Sequence, residues 1–129
     1  MNVVGDHGQQ QPASSVPIRW RLARGFIARL RGLLGREPPA LGTALLIVPC
    51  KAVHTVGMRY PIDIVFLSRD GRVLRVCPQV MPSRARVCWQ AWGVAELAAG
   101  EASCLGIVAG AMLALPLSIR PAAKSRRDR

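Results

Sequence analysis

Cys50, His54 and Met58 carry the side chains in this sequence that are best suited to binding a soft metal ion. Thiolate, imidazole and thioether are soft donors, and together they suit Cu(I). Their four-residue spacing places them on one face of a strand or a helix. On a straight strand, four residues span about 13 Å at about 3.3 Å per residue. A single site therefore requires a bend at Gly57 or a helical turn.

A structural role explains the same three residues without a metal. Cysteine and methionine are commonly buried as packing residues, and His54 can bond to a neighbouring backbone group. This interpretation is favoured, so the sequence predicts no cofactor. A metal site at Cys50, His54 and Met58 is kept as the alternative.

His54 is also the natural centre for acid–base chemistry if an acidic side chain lies close to it. Asp63 and Glu96 are the candidates for that partner, and Arg59 or Arg84 would bind an anionic substrate. An ion pair between Arg59 and Asp63 is the structural alternative, because a lone carboxylate among apolar residues is costly. The sequence contains no nucleophile elbow, phosphate-binding loop, EF-hand or Cys-x-x-Cys pair, so no catalytic residue is assigned.

Polar residues between positions 54 and 63, together with Glu96, predict a ligand-binding cleft near His54. Its candidate binding residues are His54, Thr55, Arg59, Asp63 and Glu96. Because no nucleophile or metal framework accompanies them, the favoured prediction is a non-enzymatic binding or accessory module for an unknown ligand or protein partner. The alternative is a small metal-dependent or hydrolytic enzyme that uses His54 with Asp63 or Cys50.

A basic loop and two tryptophans follow in the second half of the chain. Ser83 lies beside Arg84 and Arg86, which fits either phosphate binding or a solvated turn. Trp89 and Trp92 either line a groove or close the edge of a core. The four cysteines are widely spaced, so we expect no zinc site. Because no export signal is visible, we expect reduced thiols. They are Cys50, Cys77, Cys88 and Cys104.

Short β-branched runs bounded by turn residues predict the elements that must position these side chains. The clearest strands are predicted over residues 44–48, 53–58, 62–67 and 73–80, with further candidates over 93–97, 104–107 and 112–117. Asp70-Gly71 predicts a tight turn between two of them. Steps of three and four residues between apolar side chains over 20–34 predict an N-terminal amphipathic helix. The predicted fold is mainly β, a small single-domain β-barrel or β-sandwich with this helix packed against it.

Length and charge predict the domain organisation and one further class of function. The chain has 129 residues and a formal net charge of +11. We expect a flexible leader over 1–17, one β-rich domain over 18–117 and a basic disordered tail over 118–129. Most of the charge lies towards the two ends, which predicts weak anion attraction through the basic termini. A nucleic-acid or membrane-surface binder is therefore a further alternative.

No membrane-spanning or secretory segment is predicted. The longest apolar run, over residues 107–117, is too short to cross a bilayer, which requires about 20 apolar residues. The N-terminus lacks an apolar segment behind a basic start. We therefore expect a monomeric cytoplasmic protein without a transmembrane segment.

Several motifs in one order resemble the family known as domain of unknown function 192. They are Pro49-Cys50, His54-Thr55, Met58-Arg59, Pro61-Ile62-Asp63, Val65-Phe66-Leu67 and the turn Asp70-Gly71. Segments 31–36, 94–100 and 106–113 resemble other family elements, except that Ala111 stands where the family usually has Asp. The resemblance spans roughly residues 22–115. It implies a small, mostly β domain and no assigned activity.

Overall fold

Seven strands and one short α-helix make up the part of the chain that the computed structural model describes, residues 18–23 and 38–119. The prediction of a mainly β protein is confirmed. The strands are β1 (Arg19–Ala23), β2 (Thr43–Ile47), β3 (Ala52–His54), β4 (Ile62–Leu67), β5 (Val73–Val80), β6 (Ala85–Val87) and β7 (Gly93–Ala98). They are followed by helix α1 (Glu101–Cys104) and a 3-10 turn (Leu117–Ile119).

Five of the strands form one mixed sheet in the order β1-β2-β7-β4-β5. β1 pairs with β2 in parallel, and the other neighbours are antiparallel. The central strands β2, β7 and β4 are buried along almost their whole length. Their sequences are therefore nearly continuous apolar runs, as expected for strands covered on both faces.

The predicted β-barrel is wrong, because the sheet stays open within the described residues. β1 and β5 stand at opposite ends of the strand order and do not pair. The physical reason is that each face of the sheet has its own apolar cluster. With a separate cover on each side, the sheet need not close around a single interior.

The two faces of the five-stranded sheet are covered by different types of structure. One face, which includes Ile64 and Phe66 of β4, is covered by a second sheet in which β3 pairs with β6, and Val53 packs against it. The opposite face is covered by α1 and the chain that follows it. Apolar side chains that form this second cover include Ala102, Ile107, Leu113 and Leu115. The second sheet of the predicted sandwich is thus only two three-residue strands.

The predicted N-terminal helix over residues 20–34 begins instead as a strand. Residues 20–23 belong to β1, which pairs with β2 from Arg19↔Thr43 to Ala23↔Ile47. Ile18, Trp20 and Leu22 alternate with arginines, which is the period of a strand. Trp20 packs against the second cover, and its Nε1 donates to the Ala114 carbonyl at 2.9 Å. Residues 24–34 of the predicted helix lie outside the described residues.

Residues 110–113 run beside the start of β5. The Gly110 N–H donates to the Val73 carbonyl at 2.7 Å, and the Val73 N–H donates to the Ala111 carbonyl at 2.8 Å. The Leu113 N–H donates to the Gly71 carbonyl at 2.8 Å. The strand predicted over 112–117 is reduced to a single bridge between Arg72 and Met112.

The remaining predictions concern one candidate strand, membrane-spanning segments and the two ends of the chain. The candidate strand over 104–107 is the end of α1 and a turn. No helix among the described residues combines the length and apolar character needed to cross a membrane. The predicted leader, residues 1–17, and the tail from residue 120 onwards lie outside the described residues.

Replacing Gly71 with alanine is expected to destabilise the fold more than the same change at Gly106. Both glycines have positive φ, +92° and +68°, which costs about 1–2 kcal/mol for an L-residue. A Cβ at Gly71 would also lie 2.3 Å from the Leu113 carbonyl oxygen, whereas a Cβ at Gly106 meets open space. Urea unfolding of the two variants measures the difference, which we expect to exceed about 1 kcal/mol. Equal losses would contradict the backbone contact.

Candidate functional site

Asp63 is the most deeply buried of the predicted binding residues, with a fully inaccessible side chain in β4. Its carboxylate accepts three backbone hydrogen bonds. Oδ1 accepts from the Gln79 N–H at 2.8 Å and from the Gly100 N–H at 3.1 Å. Oδ2 accepts from the Ala102 N–H at 2.8 Å. These bonds compensate the carboxylate for its loss of water.

The bond to Gln79 depends on an irregularity in β5. The register between β4 and β5 shifts between Ile62 and Ile64, so that β5 contains one more residue than β4 there. Gln79 has a φ of +46° at this bulge. A bulge leaves backbone groups without their ladder partners, and the Asp63 carboxylate takes the place of the missing acceptor.

The other two bonds fix the start of α1. Gly100 has a φ of +87°, and its N–H and that of Ala102 both point at Asp63. Asp63 therefore joins β4, the bulge of β5 and the beginning of α1. The ion pair between Arg59 and Asp63 considered from the sequence is not found among the described residues, and Arg59 is exposed.

Thr55 is also fully buried, and it connects the end of β3 to the loop before β6. Its Oγ1 donates to the Met81 carbonyl at 2.7 Å and accepts from the Arg84 N–H at 2.9 Å. Its backbone N–H donates to the Arg84 carbonyl at 2.8 Å, and its carbonyl accepts from the Ser83 N–H at 3.1 Å. The hydroxyl is therefore occupied by the protein's own backbone.

Two glutamates complete the set of buried acids. Glu96 of β7 lies in the sheet opposite Leu45 of β2 and Ile64 of β4, and 4% of it is exposed. Glu101, which the sequence reasoning missed, is buried at the start of α1 and accepts a hydrogen bond from the Gly42 N–H. The available signal was its position after Gly100, since acidic residues favour the first turn of a helix.

His54 and Arg59 are the predicted binding residues whose side chains are exposed. His54 is the last residue of β3 and lies opposite Ala85 of β6. The hydrogen bonds described for the Asp63 carboxylate come from backbone N–H groups and not from His54. The five candidates therefore comprise two exposed side chains and three buried ones.

The three predicted metal ligands differ in burial. Cys50 is half-buried, and its Sγ donates to the Ala52 carbonyl at 3.1 Å. Met58 is packed in the apolar cluster beneath β3 and β6, whereas His54 is exposed. Within the described ranges, no three His, Cys, Asp or Glu side chains are grouped so that they could hold a metal ion.

Burial of the acids leaves a strongly basic surface. Of the four acidic residues in the described ranges, only Asp70 is exposed. A hydrogen bond from the Ser68 hydroxyl lowers the pKa of Asp70, so this carboxylate stays charged at neutral pH. Eight basic residues are exposed in the same ranges: Arg19, Arg21, Lys51, Arg59, Arg69, Arg72, Arg75 and Arg84. Positive charge is therefore not confined to the chain ends.

Comparison with known sequences decides the family. The family model of DUF192, described as "Uncharacterized ACR", matches residues 9–115 of the chain. The chain belongs to the DUF192 family. This confirms the resemblance found in the sequence motifs. No curated protein matches the chain.

Two crystal structures have a fold similar to that of this DUF192 domain. One is a protein of unknown function from Novosphingobium aromaticivorans DSM 12444, with a TM-score of 0.66 and 24% identity over 72% of this chain and 71% of that chain. The other is a "putative transcription regulator" from Sinorhizobium meliloti 1021, with a TM-score of 0.66 and 22% identity over 72% of this chain and 78% of that chain. At these identities the similarity shows the fold alone.

Replacing Asp63 with asparagine is expected to lower the free energy of unfolding by about 2–4 kcal/mol. Asparagine keeps the size of the side chain but presents an NH₂ group where Oδ1 or Oδ2 now accepts a backbone N–H. Urea unfolding measures the loss. The matched control is Asp70→Asn at the exposed turn, which we expect to cost less than about 1 kcal/mol. Similar losses at the two positions would contradict the structural role of Asp63.

Thr55→Val is expected to destabilise the domain by about 1–3 kcal/mol, because it removes a buried hydroxyl that accepts from the Arg84 N–H and donates to the Met81 carbonyl. The other threonine of the chain, Thr43, supplies the control. It begins β2, where valine suits a strand, so we expect Thr43→Val to change stability by less than about 0.5 kcal/mol. Thermal unfolding of both variants makes the comparison.

Proposed function

We propose that this DUF192 domain is a non-enzymatic binding module that takes an anionic ligand at the surface around His54. The observation that carries the proposal is the division of the candidate residues into two groups. The oxygens of Thr55 and Asp63 bond to the backbone, whereas the exposed His54 and Arg59 offer positive or hydrogen-bonding groups to solvent. A surface of this kind favours ligand binding over chemistry by a paired acid and base.

The surface of β3 and β6 around His54 carries mostly small side chains, and basic residues lie next to it. Ala52, Ala85 and Val87 share with His54 the exposed positions of β3 and β6. Because two of these neighbours are alanines, the His54 ring is open to a ligand. Arg84 ends the loop before β6 that Thr55 bonds to, and Lys51 immediately precedes β3. Both side chains are exposed.

The enzymatic alternative receives less support from the geometry. A hydrolase that uses His54 with Asp63 needs a carboxylate that can orient the imidazole. All three hydrogen bonds described for the Asp63 carboxylate come instead from backbone N–H groups. Use of Cys50 would require its Sγ to leave the Ala52 carbonyl.

Tripolyphosphate is a suitable first probe, since it carries oxyanions without any further recognition element. In NMR titrations of the full ¹⁵N-labelled chain, we expect chemical-shift changes at residues 51–59 and 84–87. The double variant Arg59→Gln/Arg84→Gln should weaken binding by up to about thirtyfold at low salt, because each of the two exposed ion contacts is worth up to about 1 kcal/mol.

The charge-matched control is Arg19→Gln/Arg69→Gln, which removes two exposed cations from β1 and from the β4–β5 turn. It should leave the tripolyphosphate affinity within about twofold, since neither residue belongs to the proposed surface and contributions of exposed charges outside it are reduced by salt. Equal effects of the two double variants would overturn the proposed location. Phosphate release that is lost in His54→Ala would overturn the proposal in favour of the enzymatic alternative.

A further inference from the structure

The exposed side chain of Trp89 lies directly beside the proposed anion-binding surface. It is 73% exposed, the most exposed tryptophan in the described part of the chain. It follows β6 by two residues, and its carbonyl accepts a hydrogen bond from Lys51 Nζ at 2.7 Å. An exposed indole next to a fixed ammonium group offers a stacking surface and a phosphate contact together.

The neighbouring arginines are held by the backbone in a similar way. Arg75 Nη1 donates to the Val87 carbonyl at 3.2 Å, which brings this residue of β5 to the end of β6. Arg84 Nη1 donates to the Ser83 carbonyl at 3.3 Å, and Arg86 Nη1 donates to the Ala85 carbonyl at 2.7 Å. Each guanidinium has five N–H donors, so these bonds position the group while leaving donors for phosphate oxygens.

We propose that the ligand of this surface is single-stranded nucleic acid. The backbone phosphates would contact Lys51, Arg75 and Arg84, and one base would stack on Trp89. This inference rests on the proposed function and adds the class of ligand. The short strands accommodate a site at the lower end of the range of about 4–16 nucleotides found for sites of this type.

Charge and shape favour a single strand over a duplex or a membrane. The outward positions of β3 and β6 hold alanines, valine and histidine, which do not reach into a groove to read base edges. A membrane surface is bound through an apolar face that enters the lipid, whereas Trp89 stands beside the Lys51 ammonium group. An indole with a cation beside it fits a nucleotide, whose base can stack on the ring while its phosphate contacts the cation.

The test uses the full chain with short oligothymidylate and oligouridylate of about eight nucleotides. Binding is followed by fluorescence anisotropy and by quenching of tryptophan emission. We expect Trp89→Ala to weaken oligonucleotide binding at least about fivefold while leaving tripolyphosphate binding unchanged, because stacking is lost and the cations remain. Trp89→Phe should retain most of the affinity and lose most of the quenching. This second variant separates stacking from a fault in folding.

The salt dependence provides an independent readout. Neutralising Arg75 and Arg84 should reduce the slope of log affinity against log salt by about 1.4, since each phosphate contact on a single strand contributes about 0.7. Arg19→Gln/Arg69→Gln should leave the slope unchanged. An equal reduction in the two double variants would overturn the assigned surface.

Three other outcomes would overturn the inference. If Trp89→Ala and Trp89→Phe bind oligonucleotides as the parent chain does, stacking is excluded while the proposed anion-binding function stands. If vesicles containing phosphatidylserine bind and oligonucleotides do not, the ligand is a membrane surface. If neither tripolyphosphate nor oligonucleotides bind, the proposed function fails together with the inference.

Discussion

A single carboxylate inside the main sheet holds three segments in place. Asp63 accepts backbone hydrogen bonds from the bulge of β5 and from both ends of the Gly100–Ala102 segment. A carboxylate has two oxygens and no donor, so it can receive several N–H groups that would otherwise be buried without partners. Helix α1 and the chain that covers one face of the sheet both start from this point. The second core therefore depends on the position of one charged side chain in an apolar strand.

The sequence was informative where the hydrophobic pattern is long and unambiguous. The central strands around residues 44–48, 62–67 and 93–97 were predicted because continuous apolar runs bounded by turns have few other interpretations. β1 was mistaken for the start of a helix, because the three-residue step from Trp20 to Ala23 fits a helix, although Trp20 also belongs to the alternation of apolar residues and arginines over 18–22. The three-residue strand β6 was missed, because it is too short to show any period.

The candidate site illustrates a different limit of sequence reasoning. Asp63 was identified from the sequence as a polar group that needs a partner, but the partners of Asp63 and Thr55 lie far away in the chain. Asp63 bonds to groups 16, 37 and 39 residues away, and the Thr55 hydroxyl bonds to groups 26 and 29 residues away. The inward placement of three acids is likewise a property of the fold. A count of charges along the chain places the middle near neutrality, whereas its described surface is strongly basic.

The backbone around β5 also bears on how copies of this protein behave at high concentration. An edge strand presents unpaired backbone groups that invite pairing with another molecule. Here the first part of the edge is occupied by residues 110–113. Near its other end, the Gln79 N–H is turned towards Asp63. In the part of the chain that the structure describes, an incoming strand thus finds a short central stretch of this edge to pair with, which disfavours pairing between copies through β5.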